Sequence, residues 1–131
     1  PDLQRIGREE RIRHAPGDAT DLTAVAHGAD VWIAWADSRE APNEGLADIY
    51  AAKIAGHDAK RIGDEIHVLG SVAHSHSPAL APFGKGVLAA WIEQAPAGAS
   101  ADNPLYGAVT VALDDAGRPI GEGARLAGLR P

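Results

Sequence analysis

Apolar and polar residues alternate with period two along most of this chain. That pattern suits a strand with one buried face, and a helix with its period of 3.6 cannot satisfy it. It predicts four strands, over residues 22–27, 30–36, about 48–55 and 64–69, and four more downstream, over 78–82, 86–93, 105–113 and 123–127. Very short turns, His27-Gly28-Ala29-Asp30 and Phe83-Gly84-Lys85-Gly86, join the first and second strand of each set. Gly28 and Gly84 stand at the first central position, which predicts type II′ hairpins, where a positive φ meets no Cβ. The fourth strand of each set is reached through turns rich in Gly, Asp and Lys or Arg.

The two sets are copies of one unit. WADSREAPNEGLADIY (35–50) returns 56 residues later as WIEQAPAGASADNPLY (91–106), with the same separation of 15 from Trp35 to Tyr50 and from Trp91 to Tyr106. A second element, Arg5-Ile6-Gly7 with Glu9, recurs as Arg61-Ile62-Gly63 with Glu65, and a shorter third copy lies in 116–126 at a spacing of 58 (120 − 62). Four antiparallel strands repeated at a fixed period predict β-propeller blades, whose repeats usually run about 40 to 50 residues. Here the loop between the second and third strands lengthens the period.

The predicted architecture is therefore all-β: a propeller segment of about two four-stranded antiparallel blades, 14–69 and 70–131, preceded in 1–13 by the last, outer strand of another blade. A β-sandwich is the alternative, since regularly spaced short strands serve both folds; the phase-locked recurrence of Trp, Tyr and the Arg-Ile-Gly element favours the propeller. A closed propeller needs about four to eight blades. The expected partners are thus other blades, from the same chain or from other copies. A chain that begins at Pro1 and contains no Met is expected to be a mature product or a piece of something longer. Trp35 and Trp91, at equivalent places, are expected in the core between sheets. Trp32 and its counterpart Leu88 fall on the opposite face, also between adjacent blades.

Trp35-Ala36-Asp37-Ser38-Arg39 followed by Asp48-Ile49-Tyr50 resembles the W-x-D-x-R…D-I-Y blade repeat of bacterial, usually secreted, β-propeller proteins of the sialidase-like superfamily, related to the Asp-box proteins. The motif is complete only in the first blade; the second has Glu93, Ala95 and Pro104 where the first has Asp37, Arg39 and Asp48. The resemblance implies a location outside the cytoplasm: secreted, periplasmic or on the cell surface.

Composition narrows the partners. Twelve Lys and Arg against 18 Asp and Glu leave a net charge of −6, and no clustered positive field exists to hold nucleic acid or an anionic membrane surface. No apolar run approaches the roughly 20 residues of a membrane-crossing helix. Cysteine is absent, so neither a disulfide framework nor a thiolate metal site is available.

Loop lengths single out one end of the blades. The short glycine turns share one end, while the long loops 37–47, 93–104, 13–21 and 69–77 share the other, where a rigid scaffold concentrates binding residues. Asp37, Arg39 and Asp48 could set two carboxylates around a guanidinium that clamps a ligand carboxylate; pinning the loop to its blade is the competing and favoured role. Glu93 is the second-blade counterpart of Asp37. His74 and His76 project on one side of an extended chain, but two imidazoles do not make a metal site. A third ligand would have to come from Asp18, Asp21 or a neighbouring blade, and neither a metal nor another cofactor is expected. Sialidases use several arginines and a Tyr nucleophile, and the corresponding residues are missing, as are the Asp-box pattern, G-x-S-x-G, phosphate-binding glycine loops and H-E-x-x-H. The expectation is a non-catalytic module binding a glycan or a protein through its long-loop face. A structural part of a larger propeller is one alternative; a portion of a sialidase-like hydrolase whose catalytic residues lie outside this chain is the other.

Overall fold

The computed structural model describes residues 4, 8–94 and 106–126. They form β1 (Ala19–His27), β2 (Asp30–Ala41), β3 (Leu46–Ala55), β4 (Arg61–Leu69), β5 (His74–Phe83), β6 (Gly86–Gln94), β7 (Tyr106–Leu113) and β8 (Ala124–Leu126). Two four-stranded sheets result, ordered β1-β2-β3-β4 and β5-β6-β7-β8, each strand antiparallel to its neighbour. Every predicted strand is present, with shifted ends. The predicted start of the seventh at Leu105 and end of the eighth at Ala127 lie outside the described residues. Among the described residues no helix is long and apolar enough to cross a membrane.

The backbone repeats as the sequence does. Gly28 (φ 62°) and Gly84 (φ 57°) turn the two tight hairpins, while Ala29 and Lys85 keep negative φ, as a II′ turn requires. Asp21 (φ 56°) and Ser77 (φ 54°) are left-handed without being glycine, and each lies in a bulge of the first strand of its sheet. The bulges are joined, because the Ser77 amide donates to the Asp21 carboxylate at 2.9 Å. Likewise Ala59 (φ 60°) matches Gly117 (φ 80°) in the turns before β4 and β8. An L-residue there costs about 1–2 kcal/mol, and glycine's extra freedom when unfolded offsets about 0.4–1 of it. Ala59→Gly is therefore expected to stabilise the fold by about 0.5–1 kcal/mol, read as a raised midpoint in urea.

One equivalence drawn from the sequence fails. Tyr50 lies directly across the ladder from Trp35, but Tyr106 lies across from Gln94, and Val109 takes the place opposite Trp91. The span from Trp to its cross-strand partner is 15 residues in the first sheet (50 − 35) and 18 in the second (109 − 91). Three residues added to the second long loop move Tyr106 out of register, so the equal Trp-to-Tyr spacing is not a structural equivalence.

The sheets pack through unlike faces. Trp32, Ala34 and Ala36 of β2, with Ile49 and Ala51 of β3 and Val68 of β4, share one buried cluster with Val87, Ala89 and Trp91 of β6 and Val109, Val111 and Leu113 of β7. In repeat positions, 32, 34 and 36 correspond to 88, 90 and 92, whereas 87, 89 and 91 correspond to 31, 33 and 35. The face of the first sheet that carries Trp32 thus meets the face of the second that carries the equivalent of Trp35. Small alanines on one side receive the bulk of Trp91 and the branched residues of β7, as close packing demands. Trp32 and Trp91 are buried between the sheets as expected, whereas Leu88, on the outward face of the second sheet, is only half-buried.

The other face of the first sheet holds a smaller cluster of Trp35, Tyr50, Ala52 and Ile54, with Ile12, Val31 and Ile33 against it. Ile12 comes from the segment predicted as the outer strand of a preceding blade. Within it, residues 8–13 carry no strand, and 1–3 and 5–7 lie outside the described residues. The physical reason is that a fourth strand needs the edge of a third to pair with, and both third strands already have partners. The Arg61 guanidinium nevertheless ties the segment down by donating to the Ile12 carbonyl at 2.9 Å. At the short-turn end, Lys53 joins the sheets through Asp115 (2.6 Å) and also pairs with Asp30 (3.3 Å).

Candidate functional site

At the long-loop end, the period-two pleat of β2 puts Trp35, Asp37 and Arg39 on one face. Asp37 lies directly across the ladder from Asp48, and two carboxylates so placed repel unless each has its own cation or donors. Asp37 is fully buried. It accepts from Arg13 through Nε (2.7 Å) and Nη2 (3.0 Å), from Trp35 Nε1 (2.7 Å), from Arg39 Nη2 (2.6 Å) and from the Arg39 amide (3.0 Å). Burial opposes its charge, but the hydrogen bonds from Arg13, Arg39 and Trp35 outweigh that and hold the carboxyl well below the usual carboxylate range.

Arg39 does not bridge Asp37 and Asp48, as the sequence suggested; its second carboxylate is Glu65 of β4. Its guanidinium also lies 4.0 Å over the Tyr50 ring, a favourable cation–π placement. Burial works against its charge as well, yet Asp37 and Glu65 raise its pKa above the ordinary arginine value. Asp48 instead pairs with His67 Nε2 at 3.0 Å and accepts from the Ser71 amide at 3.2 Å. The His67 ring is stacked on Tyr50, with centroids 4.6 Å apart and planes 3° from parallel. The Tyr50 hydroxyl donates to Glu40 at 2.8 Å, and burial followed by that carboxylate pushes its pKa up.

This arrangement has little capacity left for a ligand. The Arg39 fork is divided between two internal carboxylates and its face is covered by an aromatic ring, so what it does is tie β4 to the end of β2 across the Tyr50 ring of β3. Arg39→Ala is expected to lower the unfolding free energy by about 1.5–3 kcal/mol, the range for hydrogen bonds to charged groups. Arg39→Lys should recover only part of it, because one ammonium cannot reproduce the planar fork; denaturant titration of the two variants reads both.

The second sheet is built differently. Glu93, 2% exposed, pairs with Arg125. Among the described residues, one carboxylate oxygen of Glu93, the Ser75 hydroxyl and the Trp91 indole N–H are buried without a hydrogen-bond partner, as are Arg39 Nε and Glu65 Oε1 in the first sheet. Where Asp37 meets Trp35 directly, the longer Glu93 side chain does not meet Trp91.

His74 and His76 do come together, with ring centroids 5.5 Å apart. His74 Nδ1 accepts from the Ala47 amide at 3.2 Å, and His76 Nδ1 lies 3.0 Å from the Ser77 hydroxyl. Neither proposed third ligand joins them: Asp21 caps the Ser77 amide, and Asp18 faces Ser38 through its backbone. Among the described residues no group of three His, Cys, Asp or Glu side chains is placed to hold a metal.

Sequence reasoning missed Arg13, Glu65, His67 and Glu40. One signal was available for Glu65. The second repeat lacks both members of its pair, with Ala95 at the place of Arg39 and, at the spacing of 58, Gly123 at the place of Glu65. At that spacing Arg125 replaces His67, which supplies a cation where Glu93 needs one. No protein-family model, curated protein or solved structure matches the chain.

Proposed function

We propose that this chain is a non-catalytic pair of successive β-propeller blades whose role is assembly: it holds, and is held by, further blades of a larger propeller. The observation that carries the reading is the packing of the two sheets through unlike faces. A sandwich that closes on itself uses up its inner faces, whereas unlike-face packing repeats indefinitely and leaves one receiving and one donating face at the two ends. The internal pairing of Asp37, Arg39 and Glu93 supports assembly over recognition, because their charges stabilise the blades themselves. A location outside the cytoplasm belongs to the same proposal and rests on the W-x-D-x-R…D-I-Y resemblance alone.

A second reading keeps a glycan or protein ligand on the long-loop rim, where His67, His74 and His76 retain exposed ring area. Titration with a panel of neutral and acidic oligosaccharides, followed through backbone amide shifts of residues 38–47 and 67–77, separates the two. The assembly reading expects no saturable shift; saturable shifts confined to those residues would replace it with the rim-binding reading.

A further inference from the structure

Positions one repeat apart are covered in one sheet and bare in the other. Pro78 is buried, while its counterpart Leu22 is 72% exposed. Ala89 is fully buried against the first sheet, while its counterpart Ile33 is half-buried. Beside Leu22 runs an apolar groove of about 450 Å³ lined by Ile12, Ala19, Leu22, Ile33 and Trp35, among others. In the second sheet, the same region is occupied by the Trp32 face of the first.

The opposite end of the molecule presents a face of the kind that fills it. Leu88, Ala90 and Ile92 of β6, opposite Ala112, Thr110 and Ala108 of β7, are the repeat equivalents of the Trp32, Ala34, Ala36 face and are half-buried, and among the described residues no third sheet packs on them. Like that face, they combine alanines, here Ala90, Ala108 and Ala112, with larger apolar side chains, here Leu88 and Ile92. Each copy thus carries both halves of an interface that it already forms once internally.

We infer that the Leu22–Ile33 groove is the docking site for the outer face of the second sheet of another copy of this chain, so that copies join head to tail. This rests on the propeller reading and names its partner. The outer edge of the seat is already taken: Ile12, 56 residues before Val68, packs against the Trp35 face as Val68 packs against the Trp91 face. The incoming sheet therefore docks through β5, β6 and β7. Its β8, three residues that are all exposed, is the strand that gives way. Such a heterologous interface closes into a ring when the rotation per copy allows. With about four to eight blades in a closed propeller and two per chain, the ring holds about two to four copies.

Sedimentation of the whole chain over a range of concentrations tests this. The expected result is a discrete oligomer of two to four chains. Leu22→Glu, in the groove, and Ile92→Glu, on the outer face, should each give monomers with an unchanged circular dichroism spectrum. An equimolar mixture should form a one-to-one dimer, since each variant keeps one intact half. If either variant misfolds, Leu22→Asn with Thr110→Glu makes the same comparison. A wild-type chain that is monomeric at every concentration, variants that leave the oligomer intact, or a mixture that stays monomeric would each overturn the inference. None of these outcomes alters the blade packing within one chain, which is tested separately by matched substitutions at positions 34 and 90.

Discussion

Trp91→Ala is expected to lower the unfolding free energy by about 3–5 kcal/mol, the range for emptying a buried tryptophan site. Trp91 is 2% exposed in the cluster that joins the two sheets, and the alanines of β2 and β3 facing that cluster have no side-chain length with which to refill the space. Domains of this size are stable by about 5–15 kcal/mol in total, so the variant should unfold at a much lower urea concentration, followed by far-ultraviolet circular dichroism. Trp32→Ala should cost a similar amount. The double variant should cost less than the sum, because both residues line one interface and the second truncation relaxes into the cavity left by the first. Full additivity would mean that the two tryptophans do not share it.

Asp37→Asn is expected to cost about 3–5 kcal/mol, the usual penalty for removing one partner of a buried ion pair. Its carboxylate is the acceptor on which Arg13, Arg39 and the Trp35 indole converge, and an amide offers one acceptor oxygen where five donor contacts were met. The pH dependence has a definite sign. The folded-state pKa of Asp37 is depressed below its ordinary value, so its contribution is fully present above the ordinary carboxylate range. It is lost as pH falls from there through the depressed folded value. Stability measured from pH 7 downward should fall steeply below about pH 4 in the wild-type chain and less steeply in Asp37→Asn. Parallel acid limbs in the two proteins would place the proton uptake elsewhere.

Much of the fold was legible because strand period, glycine turns and repeat spacing are local properties. Gly28 and Gly84 announce their hairpins from a single residue each, and the alternation around Trp32 and Trp35 assigned them to opposite faces before any neighbour was known. Register was not legible. Three added residues in a loop move every pair in β7, and the only sign of them in the sequence, the shift from 56 to 58 at the last element, was masked by the preserved Trp-to-Tyr spacing. The network was half legible. Asp37 and Arg39 are adjacent on one strand face and stood out together. Arg13 and Glu65 reach them from residues 24 and 26 positions away, distances at which only folded geometry decides which carboxylate an arginine meets. The favoured role for Arg39 was to pin the long loop; its contacts instead run between strands, to Asp37, Glu65 and Tyr50, with Glu65 and not Asp48 sharing the guanidinium.

The unlike-face packing of the two sheets is the claim on which the blade reading stands. The same residue type stands at equivalent positions on either side of it: Ala34 is fully buried between the sheets, while Ala90 is half-buried on the outward face. The decisive measurement is the unfolding free energy of Ala34→Glu and Ala90→Glu, taken where each chain is monomeric. Ala34→Glu buries an unpaired carboxyl and overfills a packed interface, so a loss of more than about 3 kcal/mol, or failure to fold, is predicted. Ala90→Glu should stay within about 1 kcal/mol of the parent, because its side chain can reach water. Equal losses at the two positions would mean that the sheets meet through like faces, and the blade reading would be wrong.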